Sequence, residues 1–368
     1  MGYHGKYFLI IILVYLKTFR LFYLCHITMD IKTLDDSDAI RWDTYVNQHN
    51  NATFFHKSGW QEVIKETYGH STHYLFAEDN GQIVGILPLG HIKSFLFGNA
   101  LISTPFSVYG GIVSDNEAAH NELALAASEL AKDLKVDYLE YRNIEKTYKS
   151  YQENSLYVTF RKKISTDHQE NLLAIPRKQR AVIRKGIQSG LTSSVDPGIK
   201  RFYNIYSESV RNLGTPVFGI KLFDVLQNVF GDACEILCVE DNGRVVSSVM
   251  SFYFRDEILP YYGGGTAKAR NIYANDFMYW EVMKRGVEKG CSIFDFGRSK
   301  KGTGSYRFKT HWGFVPTQLH YQYELVNSLK PPNLNPLNPK YSYFISLWKK
   351  LPLPISNLIG PHLSKYLG

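Results

Sequence analysis

AEDNGQIVGILPL at residues 77–89 and VEDNGRVVSSVMS at residues 239–251 are one pattern written twice. Each is an apolar run, an Asn-Gly pair and a second apolar run. Asn-Gly between such runs is the strongest short hairpin signal, because a type I′ turn needs positive φ at both central positions. Outward from the hairpins the repetition continues. Tyr109-Gly110-Gly111 answers Tyr262-Gly263-Gly264, and helix-like segments follow at 117–134 and 275–289. Each copy then enters a strand, YLEY at 138–141 and IFDF at 293–296, which sets Glu140 against Asp295. Four elements in one order, about 155 residues apart, describe a duplicated unit of ordinary domain size. The expected fold is α/β (α+β), two tandem domains with mixed sheets flanked by helices.

The 368 residues leave room for a core in each domain. A hydrophobic content of 44% with 14% aromatics excludes a disordered chain. Forty-two Lys+Arg against 34 Asp+Glu give a net charge of +8, which favours anionic partners such as nucleotides, RNA or an acidic membrane surface. DNA is not among the expected partners. Cys25, Cys234, Cys238 and Cys291 form no CxxC, so buried reduced thiols in a cytoplasmic compartment are expected. His70 and His73 lie three apart with no second cluster, so no metal site is expected.

The first domain is placed at 29–165 and the second at 166–327. Residues 1–28 form a hydrophobic leader whose apolar run is broken by Lys17 and Arg20. That run is shorter than the ~20 residues of a spanning helix and no small-residue cleavage site follows, leaving a misassigned start or an anchor. Residues 328–368 carry Pro331, Pro332, Pro336 and Pro339, then an aromatic helix over 341–351. Its Tyr343, Phe344, Leu347 and Trp348 either pack on the body or rest peripherally on the inner membrane.

The chemistry is expected in IFDFGRSKKGTGSYRFKTHWGF, residues 293–314. An apolar strand carrying Asp295 runs into a loop of glycines and cations, then into Phe308-Lys309 and the aromatics Trp312 and Phe314. Glycines admit a ligand close to the backbone, and cations beside them suit a phosphate or a developing oxyanion. Arg298, Ser299, Lys300 and Tyr306 are therefore candidate substrate contacts, and Asp295 is expected to orient an amine or to hold Arg298. Between the repeats, IPRKQRAVIRKGIQSG at 175–190 reads as a basic helix begun by Pro176. Its Arg177, Arg180 and Arg184 are either a solvated face or bidentate phosphate ligands. No Ser-His-Asp or Cys-His arrangement is evident, so no covalent acyl-enzyme is expected.

DFGRSKKGTGSYRFKTHWGF resembles the C-terminal signature of FemAB-like proteins, in particular the branch associated with PEP-CTERM/exosortase systems. FFHKSGW at 54–60, the basic helix and YYGGGT at 261–266 agree with it, and the resemblance runs from about Met29 to the C-terminus. It implies two GNAT-like acyltransferase domains and a transferase acting on an amine of a cell-envelope or exopolysaccharide precursor. The implied donor is aminoacyl-tRNA or acyl-CoA, with no tightly bound cofactor, and the implied acceptor is an anionic, lipid-linked or nucleotide-sugar molecule. Carried onto this chain, the family lysine that stabilises the tetrahedral intermediate is Lys309, beside Phe308. Lys57 and Arg184 become candidates for acceptor phosphates, and Tyr262, Gly263 and Gly264 lead into the GNAT pyrophosphate loop. That loop lacks the usual Arg/Gln-x-x-Gly-x-Gly/Ala and holds Lys268 and Arg270 instead. An acyl-CoA-dependent N-acyltransferase of small amines and a silent binding protein are the alternatives.

Overall fold

The structure is a computed structural model that describes residues 29–94, 98–331 and 339–367. The leader and most of the Pro-rich linker lie outside the described residues. The first half runs β1 (Asp30–Thr33), α1 (Ala39–Gln48), α2 (Gly59–Tyr68), β2 (Ser71–Asp79), β3 (Gln82–Ser94) and β4 (Gly98–Ser103). It continues with β5 (Val113–Ser114), α3 (Glu117–Asp133) and β6 (Tyr138–Asn143). Short strands β7 (Gln152–Asn154), β8 (Tyr157–Thr159) and β9 (Arg161–Lys163) lead to α4 (His168–Ala174) and α5 (Arg177–Gln188). The second half holds β10 (Thr192–Val195), α6 (Ile199–Leu213), α7 (Ile220–Phe230), β11 (Cys234–Asp241), β12 (Arg244–Phe254) and β13 (Glu257–Gly265). Then come α8 (Ala267–Asn271), α9 (Ala274–Glu288), β14 (Ile293–Asp295), β15 (Ser299–Lys300) and α10 (Gly304–His311). β16 (Thr317–Gln318), β17 (His320–Leu325), α11 (Pro339–Trp348) and α12 (Leu353–Ser364) complete the chain.

Both Asn-Gly pairs turn as their chemistry requires. Asn80 and Gly81 have φ 48 and 78, and Asn242 and Gly243 have φ 50 and 74. The two hairpins share a bulge at one place, between Ala77 and Glu78 in one and between Val239 and Glu240 in the other. Their edge strands also share register, with Asp30 opposite Glu78 and Thr192 opposite Glu240. Farther in, β4 pairs parallel with β6 and β13 parallel with β14. Ala100 faces Tyr138 as Glu257 faces Ile293, so Glu140 and Asp295 hold the same third position on their strands.

The duplication departs from the expected correspondence at one point. β13 runs unbroken through its glycines, with Gly264 opposite Ser248 and Gly265 opposite Ser247. In the first half the chain leaves the sheet after Ser103 and returns as β5, with Val113 opposite Ile86 and Ser114 opposite Gly85. Ile86 and Ser248 lie equally far from their Asn-Gly turns, so Val113-Ser114 occupies the place of Gly264-Gly265. Tyr109-Gly110-Gly111 belongs instead to the excursion between them. The matching Tyr-Gly-Gly letters are not matching positions.

The halves also exchange strands. β9 pairs antiparallel with β14 in the second sheet, and β17 pairs antiparallel with β6 in the first. A boundary at 165/166 assigns β9 to the first domain, although its partner is in the second. The hydrophobic core crosses the same line: Phe54 stacks on Phe252 with ring centroids 4.5 Å apart. At the C-terminus the structure has two helices where one was expected, because Pro352 interrupts the run and caps α12. The described cysteines, Cys234, Cys238 and Cys291, are buried and free.

Candidate active site

The expected glycine-cation loop is helical over its second part. Thr303 caps α10, its hydroxyl accepting from the Tyr306 amide at 3.4 Å, and the helix carries both Phe308 and Lys309. Gly297, at φ 66, sits in the left-handed region that glycine enters without steric cost. The turn there brings two successive carbonyls to one cation: Lys309 Nζ donates to Gly297 O and Arg298 O, each at 3.0 Å. Its Nζ also lies 5.5 Å from the centroid of the Phe160 ring and 6.0 Å from that of Phe296. Only 9% of Lys309 is exposed, and this burial pushes its pKa down to about 7, with Arg298 adding to the effect and Asp295 opposing it. Near neutral pH the group is therefore poised between an ammonium donor and a free amine.

This burial has a measurable consequence for stability. The unfolded chain holds the Lys309 proton up to about pH 10.5, and the folded chain releases it near 7. Between those values the unfolded state binds more protons, so this residue makes the protein more stable as pH rises. Wild type should gain stability relative to Lys309→Met between pH 6.5 and pH 9.5, read as the difference between their denaturant midpoints. A constant difference across that range would contradict the burial.

Lys309 lines a cleft of about 560 Å³ together with Gly264, Gly265, Arg270, Asn275 and Phe308. The first turns of α9 (Asn275) and α10 (Gly304, Ser305) open onto it. Helix N-termini present unpaired amides and a positive dipole end, so they favour anionic groups. A Cβ on Gly264 would collide with Ser209, and one on Gly265 with the Asn275 side chain. The glycines let α6 and α9 close on the strand and set the width of the cleft.

Asp295 lies behind the cleft and is fully buried. Tyr109, on the first half's excursion, donates its hydroxyl to Oδ2 at 2.8 Å, and the Gly297 amide donates to Oδ1 at 2.7 Å. Arg161 Nε faces Oδ2 at 3.4 Å, and the same guanidinium also binds Glu257. Burial pushes the Asp295 carboxyl up, while Arg161, Gly297, Tyr109 and Lys309 pull it back. The equivalent Glu140 is likewise buried against an arginine, Arg142, at 2.8 Å. Asp295 thus ties the excursion of one half to the Gly297 turn of the other, and its ion-pair partner is Arg161, not the expected Arg298.

Of the expected site residues, the cleft gathers Lys309, Phe308 and Gly264. Arg298 lies over the Tyr157 ring at 4.7 Å and donates to Tyr321 Oη at 3.0 Å. Ser299 is buried, Lys300 lies 5.5 Å from the Tyr157 ring, and Tyr306 meets Phe160 edge-on. Tyr262 points into the aromatic core against Phe223 and Tyr206, and Gly263 faces Val249, so neither lines the cleft. Lys57 is engaged by Asp43 and Asn47, each at 3.3 Å. Arg177, Arg180 and Arg184 sit on α5 away from the cleft lining, with Arg177 and Arg184 exposed. Sequence reasoning missed Asn275, Tyr279 and Ser209. Asn275 was legible as the first residue of the expected helix, whereas Ser209 arrives from α6 only through tertiary packing.

With this geometry in hand, comparison with known proteins gives the class. Residues 177–310 match the family described as acetyltransferase (GNAT) domain. The chain is an acyltransferase. Among solved structures it is similar to FemX, with a TM-score of 0.65 and 16% identity over 81% of this chain and 98% of that one. It is also similar to the C-terminal domain of a putative lysylphosphatidylglycerol synthetase from Agrobacterium fabrum, with a TM-score of 0.55 and 14% identity over 78% and 91% of the two chains. A tandem GNAT protein from the clavulanic acid biosynthesis pathway gives 0.51 and 10%, over 80% and 97%. At these identities the likeness is one of fold, and it places the chain among mixed-sheet GNAT-like proteins that include a tandem one. No curated protein matches.

Proposed function

We propose that this acyltransferase moves an aminoacyl group from aminoacyl-tRNA to an amine of a cell-envelope or exopolysaccharide precursor. The observation that carries the reading is the Lys309 ammonium, held on two carbonyls at the wall of a cleft onto which two helix N-termini open. Attack of a neutral amine on the ester carbonyl puts negative charge on its oxygen. A positioned, desolvated ammonium stabilises that charge more than it stabilises the ester. The collapse expels the tRNA ribose oxygen, which takes up a proton as the attacking nitrogen loses one. Helix N-termini suit the phosphates beside the ester. The name of one structural neighbour, a lysylphosphatidylglycerol synthetase, denotes an aminoacylated lipid, which supports an aminoacyl donor. The exosortase-associated branch rests on the sequence resemblance alone.

One observation favours the second reading, an acyl-CoA donor: the run Gly263-Gly264-Gly265 ends beside the α9 N-terminus, where GNAT-like chains would receive a pyrophosphate. A single assay separates the two. The purified protein is incubated with envelope precursors and either tRNA charged with radiolabelled amino acids or radiolabelled acyl-CoA. The expected result is label on an amine-bearing precursor from charged tRNA, lost after RNase treatment. Label passing from acyl-CoA alone would replace the leading reading with the second.

A further inference from the structure

α12 is packed inside out. Ser356, Gly360 and Ser364, at i, i+4 and i+8, are its buried face, and Gly360 lies so close to Val217 that no Cβ fits. Ser364 Oγ donates to Val217 O at 3.1 Å, and Asn357 Nδ2 reaches Ser207 Oγ at 3.4 Å. The large apolar residues face outward: Leu358 is 71% exposed, and Ile355 and Ile359 are more than a third exposed. A helix covering a protein core does the reverse. α11 shows the same tendency. Its Trp348 is buried, as expected for packing on the body, but Tyr343, Phe344 and Leu347 remain exposed.

Charge supplies the second observation. No Asp or Glu follows Glu324, while Lys330, Lys340, Lys349, Lys350 and Lys365 do. Lys349 and Lys350 are exposed in the turn between the two helices. Exposed leucine, isoleucine and aromatic rings bordered by the exposed Lys349 and Lys350 complement an interface of apolar chains beneath anionic headgroups. α12, at about 18 Å, is far shorter than a ~30 Å hydrocarbon core, and no described helix is long and apolar enough to cross a membrane. The face also adjoins the cleft. Gly214 packs against Ile345 of α11, and the preceding Leu213, itself exposed, lines the cleft.

We infer that α11 and α12 form a docking face for an anionic bilayer surface, lying on it and holding the cleft mouth beside it. The inference is independent of the donor and of catalysis, so the test needs no turnover. The full chain is co-sedimented with phosphatidylcholine vesicles, with and without phosphatidylglycerol. Binding is expected only with phosphatidylglycerol, and it should weaken about fivefold for each lysine removed in Lys349→Gln and Lys350→Gln. Leu358→Asp should abolish binding while leaving the thermal melt unchanged, since the residue is exposed. Binding that survives both Leu358→Asp and Lys349→Gln/Lys350→Gln would overturn the inference. Absence of binding together with a dimer that Leu358→Asp dissociates would overturn it in favour of a second copy of this chain.

Discussion

Lys309→Met is expected to lower kcat by about a hundredfold to a thousandfold, the usual consequence of removing one oxyanion donor. The methionine keeps most of the length of the stem while deleting the charge that sits beside the Phe160 and Phe296 rings. Substrate affinity should change far less, because the ammonium makes its strongest contact only when the carbonyl oxygen becomes an oxyanion. The Gly297 and Arg298 carbonyls lose a donor, a cost offset in part by the desolvation that a buried charge no longer suffers. Lys301→Met is the control: Lys301 is exposed and donates to Gln318 on the protein's own surface, so its loss should leave turnover near wild type. The pH profile adds a second readout. Since burial sets the Lys309 pKa at about 7, the wild-type rate should fall as pH rises through that region if the ammonium is the working form. A Lys309→Met enzyme that turns over normally, or a Lys301→Met enzyme that is the more impaired, would remove Lys309 from the chemistry.

The repeat was legible because its information is local. An Asn-Gly turn fixes its hairpin through two φ angles, and the bulges, edge strands and parallel partners follow in register on both sides. What the letters misread was a coincidence of composition. Tyr-Gly-Gly occurs in both halves, but at 109–111 it serves an excursion that brings Tyr109 to Asp295, and at 262–264 it continues a strand. The exchange of β9 and β17 was equally invisible, since which sheet a short strand joins is decided by partners more than a hundred residues away.

The site divides along the same physical line. Phe308 and Lys309 stand together in one motif, and the structure sets both on one short helix at the cleft wall. Lys57 and the α5 arginines are cations whose significance depends on their surroundings. Asp43 and Asn47 engage the first, and the others stand away from the cleft. Charge is visible in a sequence, but whether a neighbour already satisfies it is not. Asp295 illustrates the intermediate case. Its place in an apolar strand was legible, and only the fold reveals that Arg161 and Tyr109, not Arg298, are its partners.

Trp312→Ala is expected to cost about 3–5 kcal/mol, the range for truncating a fully buried large aromatic. The tryptophan closes the same motif that carries Lys309, yet its work is structural. Its ring packs near Phe296, Phe308 and Tyr279, pinning α10 to the residue that follows β14 and to α9. Its Nε1 donates to Asp276 Oδ1 at 3.1 Å, beside a second donor, Gln179. Burial pushes the Asp276 carboxyl up from 3.8 to about 6, and the indole N–H and His311 pull it down. A raised carboxyl pKa means the folded state binds more protons than the unfolded one between those values, so this group favours folding below about pH 4 and loses that contribution as pH rises through 6. Trp312→Phe fills most of the volume and removes the N–H, which leaves an ionised Asp276 short of a donor and should cost about 1–3 kcal/mol at pH 7.5. At pH 4.5, where the folded chain keeps the carboxyl protonated, the same variant should lose distinctly less. Denaturant melts of wild type, Trp312→Phe and Trp312→Ala at both pH values decide the matter. Equal losses for Trp312→Phe at pH 4.5 and 7.5 would show that the ring alone, and not its bond to Asp276, secures the helix that presents Lys309.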